Sequence, residues 1–218
     1  MRDTTLCEHL LGIEDPWTVN KVELDIEKQR VEVWFQHPKR VKWPCPECGA
    51  EGMLHDHAAE SVWRYRDSCQ FQTFLHADPR RVRCLEHGVR QVKLPWAEPK
   101  ARFTLLFERF ANEVLQETSI EAATRILGIS WDEVWYVLHR AVERGLRRKP
   151  KQGISQYGVD EKSAGRGQDQ DYVTVICDLE RGTVEEITGG SSKESFTGYL
   201  DQLSEEQIEG IEAVSMDI

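Results

Sequence analysis

Residues 45–49 read Cys45-Pro46-Glu47-Cys48-Gly49, and 35 positions after Gly49 the chain reads Cys84-Leu85-Glu86-His87-Gly88. Three thiolates and one imidazole, from Cys45, Cys48, Cys84 and His87, are a donor set for tetrahedral structural zinc. A glycine after each knuckle allows a tight turn and lets backbone amides point at sulfur. The spacer exceeds the usual zinc-ribbon gap, so an inserted hairpin or loop is expected. It also holds His55, His57, Cys69 and His76, which are other possible ligands. Buried cysteines beside surface histidines would leave the same trace without a metal.

The surroundings of the knuckles have their own character. Residues 37–102 hold 12 Lys+Arg against 8 Asp+Glu, and four of the six cysteines fall between His37 and Pro95. Before them, Val22, Leu24 and Ile26, then Val31, Val33 and Phe35, alternate with charged residues, and Glu27 to Gln29 form a polar turn. Residues 17–36 are therefore predicted to form a β-hairpin. Pro95 and Pro99 mark a boundary on the other side.

Helical periodicity follows. Phe103, Leu106, Phe107, Phe110, Val114 and Leu115 define the apolar stripe of an amphipathic helix over 103–117. Thr118 stands three residues before Glu121, and Ser130 three before Glu133, so both read as capping boxes. They bracket a helix over 119–127, a turn at Gly128 and a helix over 131–147. Any two packed helices leave this pattern, but the short glycine-containing turn and the neighbouring zinc module favour a helix-turn-helix. Arg140, Arg144, Arg147, Arg148, Lys149 and Lys151 face a single acid, Glu143, at its end. Arg140, Arg144, Arg147 and Arg148 share one helical face, where they are expected to track phosphates. Asp132 and Glu133 at the start of that helix argue the other way, and suit capping better than DNA contact.

Charge divides the chain of 218 residues. Residues 1–150 hold 23 Lys+Arg and 23 Asp+Glu, whereas 151–218 hold 5 and 15, which accounts for the whole net charge of -10. No membrane-length apolar run and no secretory signal are present, so six cysteines point to thiols and metal ligands rather than disulfides. In the acidic third, strand-like runs at 157–162, 171–179 and 183–188 precede a helical stretch at 193–206 and a last run at 211–217. Three meander strands, a crossover helix and a fourth strand parallel to the first match the first half of an RNase H-like fold. Asp160 and Asp217 would then lie on adjacent strands and share Mg²⁺. Two aspartates at strand ends among 15 acids are also compatible with no site at all.

Together these segments resemble the ISL-three family of bacterial insertion-sequence transposases. The likeness rests on 45–49 (CPECG), 63–84 (WRYRDSCQFQTFLHADPRRVRC) running into 84–89 (CLEHGV), 94–108 (LPWAEPKARFTLLFE), 129–135 (ISWDEVW), 157–163 (YGVDEKS) and 214–217 (VSMD). It implies a multidomain α+β protein. A β-hairpin region at 1–36 is followed by a β-rich zinc-binding module at 37–99, a helical helix-turn-helix module at 100–150 and the first part of an RNase H-like DDE domain at 151–218. Cys45, Cys48, Cys84 and His87 match the zinc module. Trp131 and Trp135 join the four arginines as expected DNA contacts. Asp160 and Asp217 match the first two catalytic acids, and Glu161 is a bystander. The third acid, a glutamate, is expected beyond Ile218, which implies a truncated form unable to transfer strands alone. The implied partner is double-stranded DNA at the element's terminal inverted repeats, with a homodimer or a full-length transposase as a further partner. The implied setting is the bacterial cytoplasm, at the nucleoid. A zinc-dependent DNA-binding regulator or inhibitor without catalysis is the alternative. A zinc-dependent RNA or protein interaction module would differ by binding that depends little on salt.

Overall fold

A computed structural model describes residues 3–38, 41–149, 153–163, 172–190 and 193–216. The chain divides into two compact units, Met1–Arg147 and Arg148–Ile218.

The first unit begins with α1 (Asp3–Leu11), to which sequence reading assigned no element, and the hairpin β1 (Thr18–Asp25) and β2 (Arg30–Gln36). Val19 on β1 and Val33 and Phe35 on β2 are buried, while intervening side chains are more exposed. The Glu8 carboxylate of α1 accepts from the Val19 amide at 2.8 Å and ties the helix to the hairpin. Then come β3 (Trp43–Pro44), β4 (Glu51–His57), β5 (Ser61–Arg64), β6 (Gln72–Ala77), β7 (Arg80–Cys84) and β8 (Gly88–Gln91). They make two sheets, ordered β1-β2-β6-β5 and β3-β4-β7-β8.

The spacer between the knuckles is thus more than one loop. It sends β5 and β6 to the hairpin sheet, where β6 pairs parallel with β2 from Arg30↔Gln72 to Trp34↔His76. A common core joins both sheets. Trp17, Val33, Phe35, Trp43, Trp63, Leu75, Val82 and Trp96 belong to one buried cluster. Tryptophan rings meet at 5.1 Å (Trp17–Trp96), 5.5 Å (Trp17–Trp43) and 5.8 Å (Trp63–Trp96). Aromatic groups of this size dominate a small core. The boundary drawn at 36/37 therefore cuts through a sheet and a core that both segments build.

Three helices complete the unit: α2 (Leu105–Glu117), α3 (Ile120–Leu127) and α4 (Trp131–Arg148). Phe103, Phe107, Ala111, Ala123, Leu127, Val134 and Val137 form their core. Thr104 caps α2 by accepting from the Phe107 amide. The predicted box of Thr118 and Glu121 is not the cap of α3. Thr118 donates back to the Val114 carbonyl at 2.9 Å and closes α2, and Ser119 accepts from the Ala122 amide instead. Glu121 pairs with Arg125. The second box is formed as expected: Glu133 accepts from the Ser130 amide at 2.9 Å, and Ser130 Oγ accepts from the Glu133 amide. Gly128 ends α3 at φ 63, a left-handed cap that glycine adopts without strain.

The second unit holds β9 (Gln156–Ser163), β10 (Tyr172–Asp178), β11 (Thr183–Gly189), α5 (Lys193–Leu200), α6 (Glu205–Glu209) and β12 (Ala213–Met216). Its sheet runs β11-β10-β9-β12, with β12 parallel to β9 from Ala213↔Gln156 to Met216↔Val159. This is the meander-and-crossover order expected from the sequence. The helix expected at 193–206 is two helices, because Ser204 starts a new one with a reciprocal cap to Gln207. Tyr157, Val159 and Ile176 pack with Phe196 and Tyr199 of α5 on one face of the sheet.

Candidate metal centres and nucleic-acid interface

The knuckles meet in space. The ligand atoms of Cys45, Cys48, Cys84 and His87 all lie within 4.8 Å of one another. Cys45 and Cys84 are buried. Backbone geometry builds the pocket: the Gly49 amide donates to the Cys45 carbonyl at 2.9 Å, and the Cys45 amide to the Ala50 carbonyl at 2.8 Å. Gly49 and Gly88 both have positive φ, 75 and 68, where a side chain would be strained. Cys84 and Gly88 face each other at the end of the β7–β8 ladder, so His87 sits in the connecting turn.

The spacing suits zinc. Cys48 and Cys84 sulfurs are 3.6 Å apart, and His87 Nδ1 is 3.6 Å from Cys84 Sγ. Ligands of a tetrahedron with Zn–S bonds of about 2.3 Å stand roughly 3.7 Å apart. A disulfide would need about 2.0 Å between sulfurs. Amide donors from His87, then Glu86, hold the Cys84 thiol below its ordinary value. At Cys48 the Ala50 amide acts in the same direction, but crowding by Cys84, burial and Cys45 outweigh it and push that thiol up. Three thiols this close ionise together only with a cation among them, so the donor set fits the metal.

The other candidate ligands are engaged elsewhere. His76 lies between Glu32 (2.7 Å) and Glu60 (3.1 Å) and stacks on Trp34. His57 accepts from Arg80, which also donates to His37 Nε2 at 2.6 Å. His55 lies beside Asp56 and Arg83, and Cys69 is exposed. Cys7 packs partly against the first core, and Cys177 is half-buried.

The arginines of α4 separate into two kinds. Arg140 donates to Glu108 at 2.9 Å and also binds Glu98. Arg144 reaches Glu98 at 3.3 Å and also binds Glu108. Glu108, only 1% exposed, faces inward from α2 between Phe107 and Ala111. A buried carboxylate needs counterions, and these two guanidiniums supply them. Burial opposes the charge of Arg144, but its bonds to Glu108 and Glu98 hold it above its ordinary range. The expectation that Arg140 and Arg144 lie free along phosphates does not describe this arrangement. Glu98 and Glu108 are the residues sequence reasoning missed. The available signal was a glutamate on the apolar face of α2.

Arg147 and Arg148 are exposed, and among the described residues no carboxylate pairs with them. Lys149 pairs with Glu185 at 3.1 Å. Trp131 and Trp135 stand half-exposed on α4. Lys151 lies outside the described residues.

Asp160 sits on the inner strand β9, opposite Val175 of β10. It projects away from the face where Tyr157 and Val159 pack under α5. Its carboxylate is 3.0 Å from Lys162 Nζ on the same strand. Glu161, the neighbour, is exposed. Asp217 lies outside the described residues. No helix among the described residues is long and apolar enough to cross a membrane.

Comparison with known proteins agrees with these parts in their order. Residues 42–87 match a zinc-finger of transposase IS204/IS1001/IS1096/IS1165. Residues 92–142 match the helix-turn-helix domain of transposase family ISL3, and residues 157–218 match that family's DDE model, described as Transposase. The class is that of DDE transposases. Among curated relatives, the transposase for insertion sequence element IS1557 of Mycobacterium tuberculosis is 26% identical over 223 residues, covering 100% of this chain and 50% of the relative. The transposase for insertion sequence element IS1001 of Bordetella parapertussis is 27% identical, covering 100% of this chain and 53% of the relative. The chain belongs to the ISL3 transposase family. It spans about half the length of the curated relatives it matches. No solved structure matches it.

Proposed function

We propose that this chain supplies the DNA-binding modules and the first catalytic acids of an insertion-element transposase. Its DNA partner is the terminal inverted repeat, held by the zinc-ribbon and helix-turn-helix unit. Arg147 and Arg148 contact phosphate, because they are the cations at the end of α4 that are exposed and that pair with no carboxylate among the described residues. Such contacts give affinity without base preference.

The observation that carries the catalytic reading is the sheet order, with Asp160 on β9 and β12 parallel beside it. Asp217 follows Met216 in sequence, and the register partner of Met216 is Val159, the neighbour of Asp160. Asp160 and Asp217 are proposed as ligands of Mg²⁺, a hard cation that prefers carboxylate oxygen. When bound, that cation supplies polarisation of a phosphodiester and activation of water or a 3'-hydroxyl. The Lys162 ammonium stands 3.0 Å from the Asp160 carboxylate, in a place that a bound cation would take.

The test is duplex binding by the full chain across a salt series, with and without a zinc chelator. Binding should weaken with salt and fall sharply on chelation. Replacing Arg147 and Arg148 with Ala should lower affinity alike for all duplex sequences, and reduce the slope of log K against log salt by about 0.9 per lost phosphate contact. A salt-independent affinity would sink the DNA reading. Mg²⁺ titration of the wild type and Asp160→Asn tests the acid site separately, and equal binding by both removes Asp160 from it.

A further inference from the structure

Gly128, in the turn between α3 and α4, meets the hairpin sheet. A Cβ built at Gly128 would stand 3.2 Å from Gln72 Nε2. Gln72 opens β6, and its register partner is Arg30, which opens β2. The Gln72 amide also donates to the Gln29 carbonyl at 2.9 Å. On the other side of β6, β5 pairs antiparallel as far as Arg64↔Phe74. The Tyr65 amide donates to the Thr73 carbonyl at 2.8 Å and continues that pairing toward Arg66. The chain then reverses in a tight turn, where Ser68 and Phe71 exchange backbone hydrogen bonds of 2.9 and 3.1 Å. Arg30, Gln72 and Arg66 thus stand side by side on neighbouring stretches of chain, at the sheet end that meets the turn.

Both arginines are exposed, and among the described residues no carboxylate pairs with either. Neighbouring acids are held by other cations. Asp67 binds the buried Arg64. Asp25, cross-strand from Arg30, binds Lys28 at 3.0 Å, and Glu32 lies 2.7 Å from His76. Glu27, exposed in the hairpin turn, is the opposing charge. Each guanidinium is laid on an aromatic ring instead. Arg30 lies 4.7 Å from the ring centroid of Phe74, and Arg66 4.6 Å from that of Phe110 on α2. Such stacking orders a guanidinium and leaves its edge donors free for an oxygen. Ordering in advance lowers the entropy lost when an anion binds.

We propose that Arg30 and Arg66, with Gln72 between them, form a second phosphate-binding patch, which the hairpin sheet supplies beside the start of α4. The inference rests on the DNA reading and adds to it. A helix-turn-helix docks with the start of its second helix at the base edges while its first helix crosses the backbone. The turn before α4 therefore lies close to the duplex, and so does the sheet end packed on it. Arg147 and Arg148 stand at the other end of α4, whose 18 residues span about 27 Å. The duplex is then held at both ends of that helix, over roughly eight base pairs. Such contacts fix register and orientation and carry no sequence preference. The spacer between the zinc knuckles acquires a use: its excursion to the hairpin sheet carries Arg66 and Gln72 to the turn.

Duplex binding by the full chain across a salt series decides it. Arg30→Gln combined with Arg66→Gln should lower affinity alike for all sequences, with zinc content and helicity unchanged. At about 0.9 in log K per phosphate contact, the salt slope should fall by about 1.8. The loss should be about 60-fold at about 0.1 M salt and should vanish toward about 1 M. Gln72→Lys adds a cation to the same row and should steepen the slope by about 0.9, a gain that a folding defect cannot produce. Ethylation interference gives the position. Phosphates whose ethylation blocks wild-type binding should fall into two groups. One group should lose its effect in the Arg30 and Arg66 variant, and the other in Arg147→Ala with Arg148→Ala. An unchanged slope in the double variant, with wild-type binding intact, overturns the inference and leaves the DNA reading standing. If the double variant loses zinc or helicity, Gln72→Lys decides alone, and an unchanged slope there overturns the inference. Wild-type binding that is absent or independent of salt removes both readings. A loss confined to one sequence makes the arginines base readers and overturns the phosphate assignment.

Discussion

Glu108 shows how one side chain decides what its neighbours are for. It is buried on α2, and it draws Arg140 and Arg144 of α4 and, through them, Glu98 into a single ion cluster. Breaking a buried pair leaves a charge without its partner, at a cost of about 3–5 kcal/mol. Glu108→Ala should therefore lose about that much in thermal or denaturant unfolding. Arg140→Ala should lower stability in the same assay while leaving the salt slope of duplex binding unchanged at a temperature where it is folded. The four arginines look equivalent in a helical projection, which records spacing but not the depth of the acids opposite. At the metal cluster the outcome is different. The glycine-flanked knuckles constrain the backbone locally, so the meeting of these four side chains was legible from residue types and spacing alone. Cys45→Ser should release zinc, measured as metal per chain, and unfold the first module, since structural zinc contributes folding energy directly.

At the scale of elements, the strongly periodic segments were read well because their signals are local. The strands of the second unit, the hairpin and the helices α2 to α4 all carry alternation or helical spacing within a single window. Boundaries depended on finer contests. Thr118 and Ser119 are adjacent candidates for one cap. Ser119 takes it because Thr118 is already turned back to the Val114 carbonyl. At the other end of α3, Gly128 holds φ 63, and an added Cβ would stand 3.2 Å from Gln72 Nε2. That contact is with the tip of a flexible side chain, so backbone strain dominates. Gly128→Ala should cost about 1–2 kcal/mol and lower the midpoint of thermal unfolding by a few degrees, with zinc content unchanged.

At the scale of the first unit, a core of tryptophans encloses an unusual polar contact. Arg80 is buried, and its guanidinium donates to His37 and His57. Burial holds His37 below its ordinary value, with Arg80 and His57 acting in the same direction, while the Pro38 carbonyl and Asp78 oppose them. The folded state therefore binds protons at His37 less readily than the unfolded chain does. Stability from this group is complete above the ordinary histidine range near 6.5 and is lost as pH falls through that range toward the lowered value. Denaturant midpoints between about pH 7.5 and 5 should decline, and His37→Gln should flatten that decline. An unchanged wild-type midpoint across this window would exclude the contribution.

The sequence by itself determined the grouping of Cys45, Cys48, Cys84 and His87, the helices α2 to α4 and the strand order of the acidic third. Each depends on residues close in the chain or on a period that survives without partners. Only the tertiary structure decided that the hairpin and the zinc module share a sheet and a core. Parallel pairing of β2 with β6 joins residues some forty positions apart, and no local pattern encodes that choice. The same holds for the arginines of α4. Whether a cation meets DNA or a buried acid depends on what another helix brings within about 3 Å of it, and that distance exists only after the helices have packed.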